Sequence, residues 1–217
     1  MMLCFDLDGT LVDSRRDMVG AIQRLRSELN LDFRDYHALV PWVSKGMPKL
    51  YANAFDDIND TQIRDALPVQ YAKQYAAEIV QHTRLYDGIH EMLQNLSERV
   101  TMAVVTNKPE ALSRLLLTQL DVLQYFSAVI GGDTFDFAKP NLGMLRGAID
   151  RSGLKSTEQC VMVGDSAGDV RMAHAYRARA VWCEWGYYET LPDVKPDVTV
   201  RTPCDVVKLV ENLLIGD

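Results

Sequence analysis

From about residue 85 onward the chain repeats one pattern: a short, unbroken apolar run followed by an amphipathic stretch of helix length. The runs are Thr101–Val105, Ala128–Ile130, 160–163 and Arg179–Cys183, and Met2–Phe5 near the N-terminus is of the same kind. Strands buried on both faces read as continuous apolar runs rather than alternating ones. Short strands alternating with helices close into a parallel sheet with right-handed crossovers. The expected fold class is therefore α/β, with helices over 89–96, 109–120, 142–151, 169–176 and 203–214 and a further short strand at 197–200.

Residues 14–83 break this pattern. Val19, Ile22, Leu25 and Leu29 space an amphipathic helix, with Ser14 or Asp17 as candidate N-cap. Further helices are expected over 36–43, 49–55 and 61–81. Asp60-Thr61 caps the last, and Pro68 starts or kinks part of it. No strand is expected here. The reading is a core built from 1–13 and 84–217, interrupted by an all-helical insertion over 14–83.

Where ligands bind such a sheet is fixed by topology, at the carboxyl ends of the strands. Asp6 and Asp8 follow the first strand, with Gly9 turning the chain. Thr106, Asn107 and Lys108 follow the second. Lys139 and Pro140 come after the third, and Gly164, Asp165, Ser166 and Asp169 after the fourth. Two acids at the end of an apolar strand raise each other's pKa and are costly to bury alone. A hard divalent cation, which prefers oxygen ligands, relieves both. Acids, a hydroxyl and a lysine gathered at one sheet end suit metal-assisted phosphoryl transfer. Asp6 is placed as nucleophile, Asp8 as proton shuttle, and Thr106 and Lys139 on the phosphate oxygens. Asn107 is divided between substrate contact and helix cap, and Asp169 between ligating the metal and orienting Lys139. Lys108 is read as a surface residue. Trp42, Tyr51 and Phe55 are read as the core of the helical insertion.

The same residues carry a resemblance. Asp6-Leu7-Asp8-Gly9-Thr10-Leu11-Val12, Thr106-Asn107-Lys108, Lys139-Pro140 and Gly164-Asp165-Ser166 with Asp169 are similar, in order, to the motifs of the haloacid dehalogenase-like phosphatases. The phosphoglycolate-phosphatase-like branch is the nearest likeness. The resemblance implies a Rossmann-like three-layer core with a central parallel sheet, plus a small all-helical cap domain of the C1 type. It also implies Mg2+ as cofactor, with Asp6, the Asp8 carbonyl, Asp165 and Asp169 around it. The implied substrate is a small phosphorylated metabolite, phosphoglycolate first. Trp185-Gly186-Tyr187 resembles a loop common in that branch, and Ser44-Lys45-Gly46 partly matches a cap loop that faces substrate. A β-phosphoglucomutase-like mutase, a pyrophosphatase or nucleotidase, and a non-catalytic binding protein on the same fold are the alternatives.

Composition narrows the partners. A net charge of -7 argues against a broad nucleic-acid surface. No apolar run reaches membrane-spanning length, and no signal peptide is read, so a cytoplasmic protein, monomer or homodimer, is expected. The four cysteines show no C-x-x-C spacing and read as reduced thiols, and the four histidines show no ligand spacing.

Overall fold

A computed structural model describes residues 1–43, 45–154, 159–188 and 193–215. The chain forms two compact units, Met1–Val12 with Leu85–Asp217, and Asp13–Arg84. The sequence-level match at Ser44 lies outside the described residues.

The first unit is built on a six-stranded sheet. In chain order its strands are β1 (Met2–Phe5), β4 (Thr101–Val105), β5 (Ala128–Ile130), β6 (Cys160–Gly164), β7 (Arg179–Cys183) and β8 (Val198–Val200). The spatial order is β5-β4-β1-β6-β7-β8, and every neighbouring pair is parallel. The chain winds outward from β1 to β5 on one side, then returns to place β6 on the other. That reversal around β1 is the switch point where a doubly wound sheet opens a crevice.

Both faces are buried, which explains why the strands read as apolar runs. Met2, Cys4, Ala103, Val105, Ile130, Met162, Ala180 and Trp182 share one cluster with residues of α7 (Gly143–Arg151) and α8 (Ala167–Tyr176), among them Leu145, Ile149 and Met172. The intervening Leu3, Phe5, Met102, Val104, Val163 and Val181 point the other way by strand alternation and are also buried. Helices α5 (Ile89–Leu96), α6 (Glu110–Gln119) and α9 (Pro203–Ile215) complete the unit; α6 packs on β5, and α9 on β8 and α5.

The second unit contains α1 (Arg15–Glu28), α2 (Tyr36–Val43), α3 (Met47–Ala54) and α4 (Thr61–Ala77). Helix α1 packs on α2 and α4, and α3 on α2 and α4. Ile22, Leu25, Leu39, Leu50, Phe55, Leu67, Tyr71 and Tyr75 are buried in it. Phe55 was expected there; Trp42 and Tyr51 are only half-buried. Arg26 is buried as well, with its guanidinium on Asp57 (2.6 and 3.0 Å) and the Ala54 carbonyl (2.7 Å).

Two expectations are corrected here. Asp60 does cap α4, accepting from Gln62 N and Ile63 N, but that helix ends at Ala77 rather than near 81. Beyond it, His82 N, Thr83 N and Thr83 Oγ1 are bound by Asp17 at 2.7–3.0 Å. Asp17 is thus not the cap of α1, and Ser14, which holds the N-cap position, makes no side-chain cap bond. Just outside residues 14–83, β2 (Val12–Asp13) and β3 (Arg84–Leu85) pair as a two-stranded ribbon that the sequence reading did not cover. Strands of two residues leave no periodicity to read.

Candidate active site

Asp6 lies directly after β1, and its N–H still continues the ladder, donating to Val163 O at 2.9 Å. Its side chain is nearly buried, with Oδ1 accepting Leu7 N at 2.7 Å and Oδ2 facing Lys139 Nζ at 2.8 Å. Residues 7–12 then fold back on themselves. The Leu7 carbonyl accepts Thr10, Leu11 and Val12 N–H groups, and Gly9 N donates to Val12 O. Gly9 is required twice over. Its φ is +85°, and a Cβ there would stand 2.2 Å from Asp165 Oδ2. This closed loop holds Asp8 beside β1.

Asp165 and Asp169 come from the other side of β1, at the end of β6 and the start of α8. Ser166 and Asp169 form a reciprocal capping box at the helix start. Asp169 Oδ2 accepts from Ser166 Oγ at 2.6 Å and Ser166 N at 3.1 Å, while Oδ1 binds Lys139 Nζ at 2.7 Å. Asp165, 1% exposed, accepts Tyr187 N at 2.7 Å and faces the Thr10 hydroxyl at 3.4 Å. Gly186 permits that contact, since a Cβ at this position would lie 2.2 Å from the Asp165 Cβ. Trp185 pins the same loop by donating from Nε1 to Thr10 O at 2.9 Å.

Thr106 extends β4 by donating its N–H to Ile130 O at 2.9 Å, and it is buried. Asn107 caps no helix. Its Oδ1 accepts Lys139 N–H at 3.0 Å, which fixes the lysine's backbone; the Lys139–Pro140 peptide is cis. The Lys139 ammonium reaches in between Asp6 and Asp169.

The structure thus brings Asp6, Asp165, Asp169 and Lys139 into direct contact range, Asp8 and Thr106 onto the same strand ends, and Asn107 behind Lys139. One carboxylate oxygen each from Asp6, Asp165 and Asp169 lie within 4.8 Å of one another. Burial, with Asp169 adding to it against the opposing Lys139, pushes Asp6 up to about 6. Burial, then the charges of Asp6 and Asp169, push Asp165 up to about 8. Burial pulls Lys139 toward its neutral form, but Asp169 and Asp6 outweigh it and hold the ammonium above the ordinary lysine value. Three converging buried carboxylates with one ammonium between two of them leave a deficit of positive charge. Their oxygen-only donor set suits a hard divalent cation.

One residue was misread from sequence. Lys108 is not on the surface: its side chain is 3% exposed and its Nζ stands 3.1 Å from Asp8 Oδ2. Its place in the loop after β4, two residues past Thr106, was the available signal. The histidines are exposed, and no role falls to them.

Residues 3–183 match the family model described as haloacid dehalogenase-like hydrolase. The chain belongs to the haloacid dehalogenase-like hydrolases. Among its curated relatives in that family is a phosphoglycolate phosphatase of Xanthomonas campestris pv. campestris, 41% identical over 205 residues and covering 92% of this chain and 91% of that one. A phosphoglycolate phosphatase of Aquifex aeolicus is 30% identical across 99% of this chain and 98% of its own length. The crystal structure of a predicted phosphoglycolate phosphatase from Haemophilus somnus superposes with a TM-score of 0.86 at 27% identity, covering 96% and 97% of the two chains. These likenesses agree with the family resemblance read from sequence, and the structural one with the sheet just described.

Proposed function

We propose that this hydrolase is a Mg2+-dependent phosphatase of a small phosphomonoester, phosphoglycolate being the first candidate, working through an aspartyl-phosphate on Asp6. The observation that carries this reading is the Asp6–Asp165–Asp169 cluster with Lys139 between two of its members. The relatives' names support the substrate class.

Asp6, the Asp8 carbonyl and Asp165 are assigned to hold the metal. Both oxygens of Asp169 are engaged by Ser166 and Lys139, which favours the orienting role for it. A divalent cation at this place supplies positive charge between the dianionic phosphate and the acids, and orients the phosphate. Asp6 forms a bond to phosphorus while the bond to the leaving oxygen breaks, and Asp8 gives that oxygen a proton. Water then adds to phosphorus, its proton passes to Asp8, and the phosphorus–Asp6 bond breaks to release phosphate. Lys139 and the Thr106 hydroxyl neutralise charge on the non-bridging oxygens. Asn107 serves by setting the Lys139 backbone.

The division of labour is part of the proposal. Residues 1–13 and 84–217 perform the chemistry, and the cap of residues 14–83 selects the substrate. A cytoplasmic location is also part of it, supported by the free thiols of Cys4, Cys160, Cys183 and Cys204. No described helix is long and apolar enough to cross a membrane.

Two measurements test this. A panel of small phosphomonoesters with Mg2+, alongside pyrophosphate and nucleotides, is expected to show phosphoglycolate turned over best; strong preference for pyrophosphate or a nucleotide would overturn the substrate. Asp6→Asn is expected to lower p-nitrophenyl phosphate turnover by about 10⁴-fold or more, and retained turnover would end the mechanism.

A further inference from the structure

Two lysines are buried at the strand ends, and they are used differently. Lys139 bridges Asp6 and Asp169. Lys108 instead meets Asp8, the acid assigned to move protons, at 3.1 Å from Oδ2. An ammonium that is 3% exposed loses most of its hydration, and such burial is tolerated only against a well-placed partner.

The backbone around Lys108 is clamped on both sides. Its N–H donates to Thr106 Oγ1 at 3.3 Å, and its carbonyl accepts Gly132 N–H at 2.9 Å. Pro109 follows, with φ at -53°, and the next residue, Glu110, is tied through its N–H to Asp133 Oδ1 at 2.7 Å. A lysine on a free loop samples many rotamers. Held at its base and buried along its stem, this one presents its charge at one place.

Asp8 lies at the end of the neighbouring parallel strand β1, in the closed turn of residues 7–12. That turn fixes its backbone and leaves the side-chain torsions to be set by contacts. A proton shuttle must meet first the leaving oxygen and then the incoming water, and loss of an ångström of placement lowers the rate steeply.

We propose that Lys108 is a positioning residue for Asp8: by holding one carboxylate oxygen it fixes the plane from which Asp8 exchanges protons with the leaving oxygen. This rests on the phosphatase reading above. Because the lysine acts on the proton transfer and not on phosphorus, its loss is selective. A poor alkoxide leaving group needs its proton as the bond breaks, whereas p-nitrophenolate departs without one.

The test compares kcat/KM, which ends at leaving-group departure, for three substrates: phosphoglycolate, ethyl phosphate and p-nitrophenyl phosphate, each with Mg2+. Lys108→Met is expected to lower kcat/KM by about 10²-fold for both alkyl esters, and by less than about tenfold for the aryl ester. In the Asp8→Asn background the same change is expected to add little for any substrate. An equal loss on all three substrates makes Lys108 a general electrostatic or structural group and overturns the proposal. A loss confined to phosphoglycolate makes it a receptor for the substrate carboxylate and overturns it too, as does no loss at all. Lys108→Gln, closer in polarity, is read in the same way if the methionine variant does not fold. Wild-type protein that turns over none of the three would instead remove the phosphatase reading itself, so the two failures are distinguishable.

Discussion

Asp17 and Asp165 are both buried aspartates, 3% and 1% exposed, in different units of the molecule. Asp17, in the helical unit, is surrounded by donors: His82 N, Thr83 N and Thr83 Oγ1 all reach it within 3.0 Å. Asp165, in the α/β unit, has the Tyr187 N–H close by and stands beside two more carboxylates. The first is satisfied by its own fold and locks the end of a helical segment. The second is held where burial and like charge both oppose its ionisation. Burial alone therefore does not mark a functional acid. Asp165 is set apart from Asp17 by burial with few donors, next to other acids, at the ends of strands, and that difference is what assigns it to the candidate site.

The contrast can be broken most forcefully at the group that mediates it in the α/β unit. Lys139→Met removes the cation shared by Asp6 and Asp169. Turnover of p-nitrophenyl phosphate is expected to fall by about 10³-fold, the upper range for loss of one charge-stabilising donor. Unchanged kcat would show that Lys139 only neutralises the acids. Asp165→Asn comes next: affinity for Mg2+ is expected to fall by more than about 10²-fold, since even outer partners of metal ligands are worth 10–100-fold. Following Tm during a Mg2+ titration reads this directly, and a wild-type-like curve would remove Asp165 from the metal site.

The two aspartates should also differ in sign. Asp17→Asn weakens hydrogen bonds to a charged acceptor and is expected to destabilise by about 1.5–3 kcal/mol in denaturant titrations, leaving kcat untouched. Without metal at pH above about 8, Asp165→Asn is expected to stabilise, because it removes a charge that its surroundings oppose. A stabilising Asp17→Asn would erase the distinction.

The smallest effect is on pH. The folded value of about 8 for Asp165 exceeds its unfolded 3.8, so the folded state binds the extra proton between them. Asp6, raised to about 6, acts in the same direction. The contribution of these two carboxyls to the stability of the metal-free protein is thus fully present below about 3.8 and is lost as pH rises through about 6 and then about 8. Mg2+ should remove most of that slope, and Asp165→Asn should flatten it without metal. A metal-free Tm that rises over this range would contradict the pKa shifts.

Much of the site was legible because strand-end positions are set by local pattern. Apolar runs of the right length announce where β1, β4 and β6 end, and parallel topology places those ends together, so Asp6, Thr106 and Asp165 could be chosen before any coordinate. The capping box of Ser166 and Asp169 is local too, but it was not read from the sequence, where the helix was expected to begin at Asp169 rather than Ala167. What periodicity cannot show is where a long side chain points. Lys108 looked exposed because lysines in loops after strands usually are, and Asn107 stood evenly between a substrate contact and a helix cap because it follows a strand and precedes a helix. Their real partners, Asp8 and the Lys139 backbone, are 100 and 32 residues away in sequence.

By itself, then, the sequence determined the sheet, the order of the motifs and the identity of the acids, because each follows from short-range apolar spacing and turn chemistry. Only the tertiary structure decided how charge is shared among them. Whether Lys139 bridges two acids, whether Lys108 faces Asp8 or water, and whether Asp17 caps a helix or ties down a distant turn depend on which loops the fold brings together. Hydrogen bonds and close ion pairs need their partners within about 3–4 Å, and spacing along the chain does not set that distance.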